Sequence, residues 1–340
     1  MTGFAIGSVR LANPVLLAPM TGVSDLPFRQ AAHRLGAGLV VSEMVASAEF
    51  VSERPDVVRR AGGDGLEPFA VQLVGCEPKW MGEGARIAEA QGAGIIDINM
   101  GCPSREVTGK ASGSALMRDL DHALALVNAV VGAVKVPVTL KMRLGWDSRS
   151  KNAPELARRA EDAGVQMITV HGRTRDQFFK GQADWSAVRA VKDAVRVPVV
   201  VNGDIRTPGD AASAMALSGA DGVMIGRGAY GAPWQPGRIA EALAKNCDPG
   251  APALDEQKRI AVAHIQAMLA HYGDYLGLRN ARKHIGWYLE TSGRPEIDVK
   301  AWRRHLCTAE DASRVITGLE DFYAGADVHD APPRISEAAA

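Results

Sequence analysis

Cysteine is scarce in this sequence, and its four copies, Cys76, Cys102, Cys247 and Cys307, lie far apart among 340 residues. No two of them are spaced as C-x-x-C, so a zinc ribbon, a dithiol redox motif or a disulfide framework is poorly supported. H-E-x-x-H, clustered histidine ligands and a Walker-type lysine loop are missing too, which argues against a catalytic metal and a P-loop nucleotide. We expect reduced thiols, no metal and a cytoplasmic location.

Net charge and long apolar runs are also missing. The 39 Lys and Arg residues balance the 39 Asp and Glu residues, so no field over the whole molecule attracts polyanions, and a nucleic-acid partner would need a local basic patch. No apolar run reaches the roughly 18 residues of a membrane span, and residues 1–10 lack the pattern of a signal peptide. The sequence therefore predicts a protein that is neither secreted nor membrane-spanning.

Eight short apolar runs are present, each followed by a polar or glycine-containing loop. They cover residues 15–18, 39–42, 69–73, 95–99, 138–141, 167–171, 199–202 and 223–225. Their spacing, on the order of 30 residues, fits βα units with right-handed parallel crossovers. We predict an α/β fold, a (β/α)8 TIM barrel; a doubly wound sheet is the alternative, because periodicity alone does not prove closure.

The pattern changes after the eighth run. Apolar residues then follow helical spacing, as they do from Leu278 to Leu289, and no further strand-like run occurs. We predict a barrel domain at 1–235, a C-terminal all-helical domain at 236–325, and a disordered tail rich in alanine and proline at 326–340.

Polar side chains concentrate at the ends of the eight runs. If the barrel forms, the residues directly after each strand face one mouth, where barrel enzymes carry their chemistry. Amides, cations and one thiol meet there, and together they indicate a ligand site, whereas any single member is a weak signal. The set is Pro19, Met20, Thr21, Glu43, Gln72, Asn99, Cys102, Lys141, Arg143, His171, Arg173, Asn202, Gly203, Asp204, Gly226 and Arg227.

Several members of this set suggest a bound anion and a ring. The loop after the seventh strand contains Gly203, and the loop after the eighth contains Gly226 beside Arg227. We favour a phosphate site here over the alternative, in which the glycines only form turns and the arginine is a surface residue. Lys141 is either a Schiff-base nucleophile or a fixed positive charge beside an electron-rich ring. His171 is a general base, a core histidine or, as we favour, a phosphate or cofactor contact.

Cys102 lies on the loop N-M-G-C-P that directly follows the fourth run. Pro103 stops a strand or helix from running through it, so the thiol is held at a strand end, unless it is a small buried hydrophobe. Gln72 offers both a donor and an acceptor to a heteroaromatic edge. A phosphate site, a cation, ring-facing amides and one thiol together match the needs of bound flavin mononucleotide, FMN.

These motifs resemble those of the tRNA-dihydrouridine synthase family, and most closely its bacterial B-type branch of nitrogen-regulation-protein-like members. The resemblance is strong over residues 13–230 and looser in the helical region. The matching motifs are L-A-P-M-T-G-V-S-D-L-P-F-R from Leu17, N-M-G-C-P-S from Asn99, K-A-S-G-S-A-L-M from Lys110, K-M-R-L-G from Lys141, H-G-R-T-R from His171, V-N-G-D-I from Val201 and I-G-R-G from Ile225.

The resemblance implies an FMN-dependent barrel enzyme that reduces the C5–C6 double bond of uridine in tRNA, in the D-loop, with NADPH reducing the flavin. Hydride would pass from N5 of the reduced flavin to C6, and Cys102, as the catalytic acid, would give a proton to C5. Asn99 would orient either the flavin or the uracil. By position, the residues that bind FMN would be Pro19, Met20, Thr21, Gln72, Asn99, Lys141, His171, Asn202, Gly203, Asp204, Gly226 and Arg227.

Two positions depart from the family pattern. Phe179 lies where many relatives have tyrosine, so a hydroxyl contact there is in doubt. Ser114 replaces a commoner alanine, with no evident consequence.

Contacts with tRNA are predicted in two places. In the helical region, where the resemblance puts RNA binding, basic residues mix with aromatics, which suits phosphate contact and base stacking; a solvated helix face with a core tryptophan is the alternative. The residues are Arg279, Arg282, Lys283 and Trp287 in that region, and Arg105, Lys110, Arg143 and Arg173 at the mouth. We expect a monomer that binds tRNA and no membrane.

The sequence leaves two other functions open. The first is an FMN-dependent barrel oxidoreductase that acts on a free small molecule, such as a dihydropyrimidine or an enone, although that substrate would not require a basic helical region. The second is a nucleic-acid-binding regulator without turnover, although no helix-turn-helix signature is present and the polar strand ends would have no use.

Overall fold

Eight parallel strands close into a barrel in the computed structural model, which describes residues 3–328. The strands of the described chain are β1 Ala5–Ile6, β2 Val9–Arg10, β3 Val15–Leu17, β4 Leu39–Val41, β5 Val45–Ala46, β6 Phe69–Val74, β7 Ile95–Met100, β8 Val138–Arg143, β9 Ile168–His171, β10 Val199–Asn202 and β11 Gly222–Ile225. All but β1, β2 and β5 form the ring, in which β11 pairs with β3, and β4 with β6. The predicted barrel, with a strand at each of the eight runs, is confirmed.

Helices separate the barrel strands and then continue alone. The α-helices are α1 Leu26–Arg34, α2 Ser47–Val51, α3 Pro55–Ala61, α4 Pro78–Ala90, α5 Arg105–Thr108, α6 Leu120–Val131, α7 Ala153–Asp162, α8 Arg189–Ala194, α9 Pro208–Ser218, α10 Gln235–Lys245, α11 Leu254–Tyr272, α12 Asp274–Thr291, α13 Glu296–Leu306 and α14 Ala312–Ala324. Local capping explains several starts. Thr207 Oγ1 accepts from the Asp210 N–H, the Asp210 carboxylate accepts from the Thr207 N–H, and Pro208 opens α9.

Apolar side chains fill the amino-terminal end of the barrel. Leu16, Leu39, Ala70 and Ile95, from four different strands, pack in one buried cluster with Ile6 of the β1–β2 hairpin. The hairpin therefore closes this end, and the removal of its apolar surface from water stabilises the barrel.

The described chain divides into two units. The first contains residues 3–228 and Trp234–Pro249, and α10 belongs to it because that helix packs on α1, α9 and β3. The second contains Ala229–Pro233 and residues 250–328, with α11 to α14. The domain boundary predicted at 235/236 stays a prediction; by its packing, α10 lies with the barrel. The predicted tail lies outside the described residues from 329 onward.

The second unit is a set of packed helices. α11 packs against α12 and α14, and α13 against the same two helices. Leu278, Ala281, Ile285 and Leu289 are all buried on α12, which confirms the helical spacing read from the sequence. Within residues 3–328, no helix combines the length and the apolar character that crossing a membrane requires.

Candidate active site

Neighbouring strands carry the predicted polar residues side by side at their carboxyl ends. The register pairs Asn99 of β7 with Lys141 of β8, and His171 of β9 with Asn202 of β10. Gln72 of β6 joins them, because its Oε1 accepts from Asn99 Nδ2 at 2.7 Å. Five residues that are far apart in the sequence thus line one mouth of the barrel.

Side chains hold the loop that carries Cys102 from three directions. Asn99 Oδ1 accepts from the backbone N–H of Gly101 at 3.1 Å and from that of Cys102 at 3.0 Å. Arg143 Nε donates to the Gly101 carbonyl at 2.8 Å. Ser114 Oγ donates to the Cys102 carbonyl at 2.8 Å, so the serine that sequence reasoning leaves without a consequence is a tether of this loop.

Close packing beneath the loop requires glycine at position 113. The φ angle of Gly113 is +60°, in the left-handed region, and a Cβ atom there would lie 2.9 Å from the Cys102 carbonyl oxygen and 2.8 Å from Val107 Cγ1. Backbone strain and a clash with backbone therefore both oppose a larger residue. The 3-10 helix Gly113–Arg118 can pack against the Cys102 loop for this reason.

The Cys102 side chain is half-buried. Burial raises the pKa of its thiol, because a buried thiolate loses hydration; the Ser104 N–H and the charges of Arg143 and Lys141 oppose the shift only in part. The thiol therefore keeps its proton at neutral pH. A nucleophilic cysteine needs a lowered pKa, so this environment suits proton donation better than nucleophilic attack.

A buried carboxyl group, that of Asp97, lies between the mouth and the apolar end. Gln72 Nε2 donates to Asp97 Oδ2 at 2.6 Å, and Thr139 Oγ1 donates to Asp97 Oδ1 at 2.6 Å. Burial raises the pKa of Asp97, and these two hydrogen bonds offset the shift only in part. Sequence reasoning misses Asp97, although the period of two along a strand places it on the same side as Asn99, two residues later.

Lys141 is a cation with unused hydrogen-bonding capacity. Its Nζ donates to Asn202 Oδ1 at 3.2 Å, the one acceptor that residues 3–328 offer to its three N–H groups. Burial, reinforced by the charge of Arg143, lowers the pKa of Lys141 to about 8. Its neighbour in the register, Thr169, has a buried hydroxyl without a hydrogen-bond partner among the described residues. An anionic or heteroaromatic ligand would satisfy both groups.

The two loops predicted to bind phosphate are joined by Asp204. Its carboxylate accepts from Arg173 Nη1 at 3.1 Å and from Arg227 Nη2 at 3.2 Å. Burial alone would raise the pKa of Asp204, but the hydrogen bond and charge of Arg173, with the charge of Arg227, lower it. Gly203 has a φ of +118°, and a Cβ there would lie 2.8 Å from His171 Cδ2, so only glycine lets this loop approach the imidazole ring.

His171 is neutral because its imidazole ring is buried and cations surround it. Burial lowers its pKa well below the usual value, and the charges of Arg143, Lys141, Arg173 and Arg227 lower it further. Arg173 Nη1 lies 3.2 Å from His171 Nε2; since a guanidinium only donates, this nitrogen acts as the acceptor. The imidazole can therefore offer a hydrogen bond without adding positive charge to the mouth.

The loop after β3, at 19–21, forms another wall. Pro19 and Met20 are half-buried and Thr21 is exposed. The Met20 N–H donates to Ser24 Oγ at 2.7 Å, and a loop N–H, that of Gly22, donates to the carboxylate of Glu43. Glu43, at the end of β4, therefore fixes this loop, a structural role that the sequence pattern does not reveal.

The four arginine and lysine residues predicted to contact RNA at the mouth differ in exposure. Arg105 and Lys110 are exposed, whereas Arg143 and Arg173 are each 1% exposed. Both buried arginines donate to backbone carbonyls of the loop at 174–181. Arg143 donates to those of Thr174 and Phe178, each at 2.8 Å. Arg173 donates to those of Lys180 at 3.1 Å and Gly181 at 2.6 Å. The burial of Arg143 and Arg173 differs from the prediction that they contact RNA, because a guanidinium that is hydrogen-bonded inside the protein does not face an RNA phosphate.

An aromatic side chain, Phe179, is 53% exposed at this mouth. Its ring centroid lies 6.3 Å from that of His171, 5.5 Å from Arg143 Cζ and 5.2 Å from Arg227 Cζ. Phe179 therefore contacts the mouth through its ring, by cation–π interactions with two arginines.

One exposed face of α12 is basic. Tyr275, Arg279 and Lys283 follow at intervals of four residues, which places them in one row on the helix, and all three are exposed. Arg279 Nη1 donates to the Tyr275 hydroxyl at 2.9 Å. We call these three residues the α12 row; Tyr275 is a member that sequence reasoning misses.

The other two residues predicted on this helix are less accessible. Arg282 is half-buried. Trp287 is also half-buried, and its ring stacks on that of Tyr230 with centroids 4.0 Å apart and planes 18° apart. The tryptophan therefore has a stacking partner within its own unit, as the alternative of a packed tryptophan anticipates.

Polar groups at the carboxyl ends of the strands define the first unit as a barrel of the enzyme type. A family model described as dihydrouridine synthase matches residues 16–324. A probable tRNA-dihydrouridine synthase of Rhodobacter capsulatus is 56% identical over 294 residues, which cover 86% of this chain and 90% of that protein. A tRNA-dihydrouridine synthase B of Pseudomonas putida is 44% identical over 324 residues, 95% of each chain.

The chain therefore belongs to the dihydrouridine synthase family, as its motifs predict, and it is an enzyme of that family. A solved structure, histamine dehydrogenase from Rhizobium sp. 4-9, is similar with a TM-score of 0.55 at 12% identity, over 78% of this chain and 50% of that chain. This second likeness concerns the fold alone.

Proposed function

We propose that the protein reduces the C5–C6 double bond of uridine in tRNA, with FMN as its bound cofactor and NADPH as the reductant. The observation that carries the proposal is the thiol of Cys102, half-buried on a loop that is held among amides and cations at the carboxyl end of a barrel strand. Family membership and the names of the relatives support the substrate and the product.

The residues of the mouth fit FMN. Lys141 has unused N–H groups for ring oxygens, and the buried Thr169 hydroxyl lies beside it. We propose that Gln72 lies at the edge of the ring, and that backbone at Gly203 and Gly226 with Arg227 holds the phosphate. The other contacts that we propose are Pro19, Met20, Thr21, Asn99, His171, Asn202 and Asp204. When bound, FMN supplies the hydride.

Cys102 supplies the proton. Its thiol stays protonated at neutral pH because burial raises its pKa, and the bonds from Asn99, Ser114 and Arg143 keep the loop in one place. We propose that Cys102 Sγ delivers its proton to C5 of the uracil. General acid catalysis of this kind accelerates a reaction by roughly 10²–10⁴-fold.

For Arg143 and Arg173 we propose a role other than RNA contact. We propose that they brace the loops around the mouth, because their hydrogen bonds go to backbone carbonyls and to Asp204. RNA contact is proposed instead for the exposed Arg105 and Lys110.

The α12 row is the second proposed RNA surface, with Arg282 and Trp287 beside it, and phosphate contacts from its cations would make binding sensitive to salt. The target uridine, in the D-loop, must leave its stack to reach the mouth, at a cost of a few kcal/mol. We propose that the protein acts as a monomer in the cytoplasm. Light scattering of the purified protein in complex with tRNA tests the oligomeric state.

The decisive experiment is to map dihydrouridine in tRNA from cells that lack the gene. We expect loss of dihydrouridine in the D-loop, restored by the wild-type gene and not by Cys102→Ala. Unchanged dihydrouridine would overturn the proposed activity. Equal turnover of free uridine and tRNA would instead favour a small-molecule oxidoreductase, and a colourless protein that FMN does not reconstitute would overturn the cofactor.

A further inference from the structure

Three side chains connect the middle of the barrel to the backbone of the Cys102 loop. Gln72 Nε2 donates to Asp97 Oδ2 at 2.6 Å, and Asn99 Nδ2 donates to Gln72 Oε1 at 2.7 Å. Asn99 Oδ1 then accepts from the N–H groups of Gly101 and Cys102. We call Asp97, Gln72 and Asn99 the Asp97 chain. Each of its members is buried.

The direction of every bond in the Asp97 chain follows from its first member. Both oxygens of Asp97 act as acceptors, Oδ1 from Thr139 and Oδ2 from Gln72 Nε2, so the amide nitrogen of Gln72, and not its oxygen, faces Asp97. Gln72 Oε1 then faces Asn99 and requires the nitrogen of that amide. Asn99 Oδ1 is left to face the loop, where two backbone N–H groups need an acceptor. A reversed amide at either position would set oxygen against oxygen, or N–H against N–H.

We propose that Asp97 is a positioning residue, which orients Gln72 and Asn99 and thereby holds the Cys102 loop. Its effect on proton donation rests on the proposed function, whereas its effect on the loop does not. The three side chains are buried, and each hydrogen bond between them pairs a donor with an acceptor. Breaking the chain would leave buried amide groups unsatisfied.

Thr139 provides a matched control at the same depth. Its hydroxyl donates to Oδ1 of Asp97, the oxygen that does not face Gln72. Thr139→Val keeps the shape of the side chain and removes this one bond, while the path from Oδ2 to the Cys102 loop stays intact. Asp97→Asn is a second control, because its Oδ1 can still accept from Gln72 while its amide nitrogen donates to Thr139.

The test is the rate at which iodoacetamide alkylates each cysteine of the FMN-free full-length protein, read by peptide mass spectrometry. Cys76, half-buried in the same unit, is the internal reference for general loosening. In Asp97→Leu we expect alkylation of Cys102 about fivefold faster relative to Cys76, the effect of losing about one net hydrogen bond. Thr139→Val and Asp97→Asn should stay within about twofold of wild type on the same scale.

Equal Cys102 rates in Asp97→Leu and Thr139→Val would overturn the proposal, as would an Asp97→Asn rate as high as that of Asp97→Leu. A second variant, Asn99→Asp, decides the matter if Asp97→Leu does not fold. It keeps the acceptor for the loop but sets an oxygen against Gln72 Oε1. We expect faster hydrogen exchange at the Gly101 and Cys102 amides; unchanged exchange would show that the loop needs only its direct acceptor, against the proposal.

This experiment separates the Asp97 chain from the proposed function. Alkylation and hydrogen exchange of the FMN-free protein need no turnover, so the expected pattern would establish the positioning role even in a protein that failed to reduce tRNA. Conversely, a protein that makes dihydrouridine but shows no selective change at Cys102 would retain the proposed function and lose the Asp97 chain.

Discussion

At the amino-terminal end of the barrel, strand residues such as Leu16 and Ile95 pack with Ile6 of the hairpin in an apolar cluster. A few residues further along β7, the corresponding positions are polar. Strand β7 contains both in one alternating series, with Ile95 in the cluster, then Asp97 in a buried network, then Asn99 beneath the Cys102 loop.

The two ends differ in what their side chains stabilise. The apolar end gains stability from surface removed from water and needs no ligand. The mouth contains Lys141, Arg143, Arg173 and Arg227 close to one neutral histidine. The carboxylate of Asp204 pairs with Arg173 and Arg227, and the repulsion that remains opposes folding unless a ligand offsets it. The comparison teaches that one strand can contribute to stability at its start and to chemistry at its end.

The largest effect should come from the mouth. Cys102→Ala removes the proposed proton donor, so dihydrouridine formation should fall roughly 10²–10⁴-fold, with little change in the thermal midpoint. Single-turnover assays with tRNA measure the rate, and Cys76→Ala, the other half-buried cysteine of the first unit, serves as the control. Turnover at the wild-type rate in Cys102→Ala would remove this thiol from the mechanism.

At the apolar end we expect a loss of stability without a loss of catalytic rate. Leu16→Ala should lower the free energy of unfolding by roughly 2–5 kcal/mol, because it leaves a cavity in a packed cluster, without changing the rate per folded molecule. Denaturant titration measures the loss. Leu217→Ala is the matched control, since Leu217 is 52% exposed on α9; an equal loss in both variants would contradict the burial argument.

Lys141→Met should weaken binding of FMN roughly 10–100-fold, since a hydrogen bond to a charged group is worth about 1.5–3 kcal/mol. Titration of the FMN-free protein by flavin fluorescence provides the dissociation constant. Lys192→Met removes another lysine of the same unit, one whose Nζ lies 2.7 Å from Asp221 and not at the mouth. If both variants bound FMN equally well, Lys141 would not be a cofactor contact.

The pKa of Lys141, about 8, predicts a pH dependence. The ammonium is charged below this value and neutral above it, so FMN affinity should decline above about pH 8 by up to tenfold per unit, and Lys141→Met should lack the decline. Because the folded pKa lies below the ordinary 10.5, the native state binds fewer protons between these values. Stability of the FMN-free protein should therefore gain from this residue as pH rises through that window.

We expect the smallest effect outside the barrel, on α12. Variants there test whether exposed charge away from both ends of the barrel contributes to tRNA binding. Arg279→Ala with Lys283→Ala should weaken tRNA binding severalfold and reduce the slope of log affinity against log salt by roughly two. Filter binding over a range of salt measures both. Arg259→Ala, an exposed arginine paired with Glu256 on α11, is the control, and an unchanged slope in the double variant would exclude the α12 row from RNA contact.

Much of this comparison could be predicted from sequence. The apolar runs predicted all eight strands. The polar residues after the runs indicated the mouth, because parallel strands place their carboxyl ends together. The motifs predicted the family correctly. These features follow from local pattern and spacing, which a single chain displays directly.

Other features depended on contacts between distant segments. The pattern does not distinguish a strand-end arginine that faces solvent from one covered by a later loop, so the burial of Arg143 and Arg173 was missed. The tether from Ser114 to Cys102 needs the left-handed turn at Gly113, and the role of Asp97 needs Gln72 from a different strand. Tyr275 lies before the basic stretch, and the bounds of α12 are needed to place it in one row with Arg279 and Lys283.

The cations around His171 have a consequence for the cell. The cations of the empty site repel one another, and a bound anion offsets this repulsion. Binding of the anion therefore adds to the free energy of unfolding. With FMN as the proposed ligand, the amount of this protein that survives quality control would depend on how much phosphorylated flavin the cell makes. Vitamin supply would regulate its abundance as well as its catalysis.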